Sequence, residues 1–252
     1  MTNEDFSHTL SADQKEERLS YTLNVNYLPE IKIDQAGGIA FSGRLSPTID
    51  LKNFGFHPNR WSLEGSGHYE GLKAVFTAGN LSISFSLPRN AQDWHEERLE
   101  FILSEFQKEF PPGAHVVSCG AMIRMLLRVD GDARKFLANH LMHLSQERIN
   151  SIGRPIHILG VRLMMPPFKM VKKTEQSDED EEGDIVSSED WEADVRMESW
   201  LADPAKLWVE IQTSWQEPKP WTKHQTHAIV EHLQIASGFV RDKIVPFLRH
   251  QD

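Results

Sequence analysis

Apolar and polar side chains alternate without a break over residues 19–27, where Leu19, Tyr21, Leu23, Val25 and Tyr27 interleave with Ser20, Thr22, Asn24 and Asn26. A period of two places each set on its own face of an extended chain, so the stretch suits a strand with one buried and one wet side. The pattern returns. Leu81, Ile83, Phe85 and Leu87 alternate with three serines, and Val117, Cys119, Ala121, Ile123, Met125, Leu127 and Val129 mark one face of 115–129. Residues 191–201 and 207–215 repeat it, and 39–50, 61–65, 68–78 and 156–165 are weaker strand candidates. Strands with one wet face belong to antiparallel sheets, because parallel sheets are covered on both sides.

Three segments change to helical period. Leu99, Ile102, Phe106 and Phe110 form a stripe within 91–110, with Asn90 as the expected N-cap. Phe136, Leu137, His140, Leu141 and Leu144 do so within 133–149 after Asp132, and Ile229, Leu233, Ala236, Val240, Ile244 and Phe247 within 223–248. The expected fold class is therefore α+β, with two antiparallel-sheet units that are each closed by an amphipathic helix. The units span 19–111 and 113–250, after a flexible arm at 1–18. A tryptophan precedes the closing helix of each unit (Trp94 and Trp221).

The net charge of −10 is local. Nine of the 37 acids lie within 175–190, which holds no Lys or Arg, and the remainder of the chain is almost balanced. Such a body offers no electrostatic attraction to nucleic acid or to an anionic membrane. The acidic run repels itself, so 169–190 is expected to be a disordered acidic loop whose charge favours a basic partner. A second reading treats it as a weak calcium loop. Asp178, Asp180, Glu182, the carbonyl of Asp184 and bidentate Glu189 would be the ligands, and Gly183 would make the turn. An EF-hand requires helices on both sides, and Pro166-Pro167 before the run and the alternation after it oppose them.

Other chemistry-bearing residues are sparse. His140, His143 and Glu147 share i, i+3, i+7 spacing, which on one helix would place two imidazoles and a carboxylate on one face, as a metal-dependent enzyme could use. His224, His227 and Glu231 repeat that spacing opposite the apolar stripe of the last helix. Cys119, the single cysteine, sits on the apolar side of its strand as a small hydrophobe. With no disulfide partner, no secretory signal and no apolar run near the ~20 residues of a membrane helix, the expected location is cytoplasmic, away from any membrane. No P-loop, dinucleotide-binding, nucleophile-elbow or zinc-protease motif is present, so no catalytic residue and no cofactor are assigned.

Five of the seven tryptophans fall within 191–221. Trp191 and Trp215 lie on the apolar faces of their strands, but Trp200 and Trp208 lie on the polar side with Arg196 and Glu210. If 191–201 and 207–215 form a hairpin, two registers keep the apolar faces together. One sets Trp200 against Trp208. The other sets Arg196 against Glu210 and leaves the indoles diagonal. Paired indoles on a polar face suit a recognition surface, so the expected function is non-catalytic binding or scaffolding of a protein partner.

Overall fold

Residues 17–86, 95–172, 184–189 and 191–249 are described by a computed structural model. The strict alternation at its start becomes the strand β1 (Glu17–Leu28). There follow α1 (Gln35–Leu45), β2 (Leu51–His57), β3 (Arg60–Gly65), β4 (Leu72–Phe76), β5 (Asn80–Ser86) and α2 (His95–Gln107). The second half runs β6 (His115–Arg128), α3 (Ala133–Phe136), α4 (Gln146–Asn150), β7 (Gly160–Met165), β8 (Phe168–Lys172), β9 (Asp184–Glu189), β10 (Glu192–Ser199), β11 (Lys206–Trp215), β12 (Lys219–Pro220), α5 (Lys223–Phe239) and α6 (Val245–Arg249).

The α+β class with a large antiparallel sheet holds. Ten strands form one sheet in the order β2-β3-β4-β5-β1-β6-β11-β10-β7, with β12 beside β6. The strand order mirrors about the central β1–β6 ladder: β1 pairs with β5 on one side, and β6 with β11 on the other. The two halves thus share a continuous sheet, and their buried side chains form one cluster. Helix contacts gather on one side of it. α5 packs on β6 and β11, α3 packs on β10, and α2 lies between α1 and α5. No described helix is long and apolar enough to cross a membrane.

Phe106 of α2 is fully buried and meets the rings of Tyr27, Phe41, Phe76, Phe110 and Trp221 at centroid distances of 4.7–6.1 Å. The Tyr27 hydroxyl donates to the Thr77 carbonyl, and burial pushes its pKa up. Trp221 is anchored at both ends of its residue: its indole N–H donates to Thr226 Oγ1 at 3.0 Å, and its carbonyl accepts from Gln107 Nε2 at 2.6 Å.

Three elements differ from the sequence expectation. Residues 39–50, expected as a strand, belong largely to α1, whose first turn is capped by Asp34 Oδ1 accepting from the Gly37 N–H at 2.8 Å. The helix expected over 133–149 is broken. α3 passes into a π-turn at Leu137–Leu141, His143 takes a left-handed φ of 48°, and a new cap at Ser145 starts α4. At the start of β6 the ladder register shifts between Asn26 and Tyr27, so Val116 is buried and Val117 only half-buried. Of the acidic stretch, 184–189 pairs with 168–172 as a separate two-stranded ladder. Residues 1–16, 173–183 and 190 lie outside the described residues, as do Asn90 and Trp94.

Candidate recognition surface

Alternation on β6, β7, β10 and β11 sends Arg124, Arg162, Asp194, Arg196, Trp208 and Glu210 to the face of the sheet opposite the main core, where Glu210 and Leu126 are nevertheless buried. Antiparallel register then decides which of them meet. Arg196 stands opposite Glu210, and Glu210 stands opposite Arg124. The hairpin has therefore adopted the second of the two possible registers, with Glu198 opposite Trp208. The opposite-charge pair is the favourable cross-strand choice, whereas the other register would have set Glu198 against Glu210.

The resulting ion network crosses four strands. Arg124 Nε donates to Glu210 Oε2 at 2.7 Å, and Arg196 approaches Glu210 Oε1 at 3.9 Å and Asp194 Oδ2 at 3.2 Å. Arg162 clasps Asp194 with both prongs, Nε to Oδ1 at 2.9 Å and the terminal nitrogen to Oδ2 at 2.7 Å. Fork-to-carboxylate pairing of this kind is among the stronger charged hydrogen bonds. It holds the Asp194 carboxyl below its ordinary pKa, with Arg162 the main cause and Arg196 adding to it.

The stabilisation is modest, because the Arg162 side chain is 52% exposed and solvent screens the pair. Asp194→Asn should lower stability by about 1 kcal/mol or less at pH 7. A carboxyl with a depressed pKa stabilises the fold above its ordinary pKa and ceases to do so as pH falls through the depressed value. Urea titrations should therefore show wild type and variant converging as the pH drops below about 4. A gap that persists in acid would assign the loss to something other than the charge.

Trp208 stands opposite Leu126 of β6, which is 8% exposed, and is itself half-buried. Trp200 follows the end of β10, where its N–H donates to the Lys206 carbonyl at 2.8 Å, so the two indoles are diagonal neighbours. Trp200 is 37% exposed and Leu201 68% exposed, and they form the apolar tip of the hairpin. Trp191 packs against Phe239 of α5 at 5.2 Å, on the buried side. Sequence reasoning placed Trp200, Trp208, Arg196 and Glu210 together but missed Arg124 and Arg162. Their polar parity was visible, but which strands would flank the hairpin was not.

The other candidates fare differently. His140, His143 and Glu147 do not share a helical face, because the break after the π-turn separates them. His140 is half-buried, 5.2 Å from the Phe136 ring, with its Nε2 buried and unpartnered among the described residues; His143 and Glu147 are exposed. His224 and Glu231 are exposed on α5, and His227 Nδ1 lies 3.6 Å from Glu100 of α2. Among the described residues, no group of three or more His, Cys, Asp or Glu side chains could hold a metal ion. Asp178, Asp180 and Glu182 lie outside the described residues; Asp184 and Glu189 bound β9, and β10 follows where an EF-hand would place its second helix. Cys119 is buried, and burial pushes its thiol pKa up, away from reactivity. Neither a protein-family model nor a curated protein matches the chain.

Proposed function

We propose that the chain is a non-catalytic cytosolic binding or scaffolding protein that meets a protein partner through the outer face of the β10–β11 hairpin. The observation that carries this reading is the exposure of Trp200 and Leu201 at the hairpin tip, beside a half-buried outward Trp208. An indole held on a rigid strand is ready to bind with little ordering cost, which is why Trp dominates interface hot spots. Arg196 and Glu210 belong to the ion network that fixes the surface around it. The acid-rich stretch ends one residue before Trp191, at the entrance to this hairpin, and supports a basic partner. The same reading treats the chain as two α+β units, 19–111 and 113–250, joined along β1–β6; the mirrored strand order supports the division.

The test is quantitative affinity purification with wild type and with a Trp200→Ala, Trp208→Ala double variant. Loss of two anchors should weaken a specific partner at least about 30-fold and remove it from the purified set. The thermal midpoint should change little, since one indole is exposed and the other half-buried. A folded double variant that retained every partner would end the proposal.

A further inference from the structure

A cavity of about 730 Å³ lies between α3, α4 and the chain entering β7. That volume is within the range of small-molecule sites. It lies beside α3, which packs against β10. Its lining is mostly apolar and includes Ala138, Ile156 and Leu159. The charged groups among it are unequal in sign: Arg134, Lys135 and Arg154 against one carboxylate, Asp132.

That carboxylate is already engaged. Asp132 Oδ1 caps α3 by accepting from the Arg134 N–H at 2.8 Å, and both its oxygens accept from the Arg134 guanidinium at 2.5–3.2 Å. Arg134 sends its remaining prong to the Ile156 carbonyl at 3.1 Å, tying one wall of the cavity to the other. Arg134 is thereby a strut whose charge Asp132 offsets. Arg154, next to the left-handed Gly153, has no ion pair or hydrogen bond among the described residues. Its guanidinium brings five donors to an apolar hollow whose one carboxylate among the described residues is occupied. A ligand with an apolar body and an anionic head would match both halves of this lining, since charge-assisted hydrogen bonds to such a head are short and strong.

We propose that this cavity binds a small amphipathic anion, its carboxylate or phosphate head on Arg154 and its apolar body on Ala138, Ile156 and Leu159. Isothermal titration of the full chain with octanoate, octyl phosphate and octanol tests it, and the first two distinguish the head groups. At least one of the anions should bind saturably and at least tenfold more tightly than octanol. Arg154→Gln should weaken that anion by fivefold or more, leave octanol unchanged and, because Arg154 is exposed, leave the thermal midpoint unchanged. Equal affinity for anion and alcohol, no binding at millimolar concentration, or full anion affinity in Arg154→Gln would each overturn the proposal.

Discussion

Phe106→Ala is expected to remove about 4 kcal/mol of stability and to unfold both halves of the chain together. The ring is fully buried, and truncating a buried phenylalanine removes its transfer free energy and leaves a cavity as well. The partners make the location unusual. Tyr27 comes from β1, Phe41 from α1, Phe76 from β4, and Trp221 from the entrance to α5 in the second half. A void here loosens the first half's helices and the tryptophan that starts the second half's closing helix. Since a whole domain is stable by only about 5–15 kcal/mol, the loss is a large share of the total. Urea unfolding followed by tryptophan emission and by far-ultraviolet circular dichroism would check it. Coincident curves that shift together are expected from one sheet and one core. Two separate transitions, only one of them moved, would mean that the halves fold independently despite their shared β1–β6 ladder.

That ladder marks where reading the sequence stops. The alternation of Tyr21, Leu23 and Val25 against Thr22 and Asn24 is enough to foresee a strand and its buried side, because the period is local. It cannot reveal that Leu23 pairs with Ala121 and Val25 with Cys119, almost a hundred residues away. The hairpin shows the same limit at short range. Two registers satisfied its apolar pattern, and the structure takes the one in which Glu210 lies between Arg196 and Arg124. Arg124 reaches it from a strand that sequence spacing does not place beside the hairpin.

α1 was hidden for another reason. Gly37, Gly38 and Gly43 lower helix propensity, and tight packing explains one of them. A Cβ at Gly38 would stand 2.6 Å from Phe56 and 2.9 Å from Trp61, so its glycine admits two rings. Asp34 caps the helix in the structure, but one capping aspartate is a weak signal in a sequence beside three glycines. The break in 133–149 and the cavity beside it depend on a π-turn and on three segments meeting, neither of which leaves a period in the chain.

His232→Gln should flatten the dependence of stability on pH below about 6.5, removing part of the fall seen in wild type. His232 lies on the inward side of α5 and is 3% exposed. Its Nε2 is 3.2 Å from Oγ1 of Thr213, a fully buried polar residue on β11. Burial holds the imidazole below its ordinary pKa, an effect that outweighs the opposing hydrogen bond at Thr213. Well above pH 6.5 the histidine is neutral in both the folded and the unfolded chain, and its titration contributes nothing to the difference. As pH falls, the unfolded chain takes up a proton that the folded chain refuses. Stability then declines by up to about 1.4 kcal/mol per pH unit until the lowered pKa is reached. Glutamine cannot titrate and can still hydrogen-bond Thr213, so any packing cost should be the same at pH 7 and pH 5. The other histidines remain in both proteins, so the difference between two urea titrations isolates this ring. Equal pH slopes would mean that the buried imidazole accepts its proton without unfolding anything, and that α5 yields locally where it crosses β11.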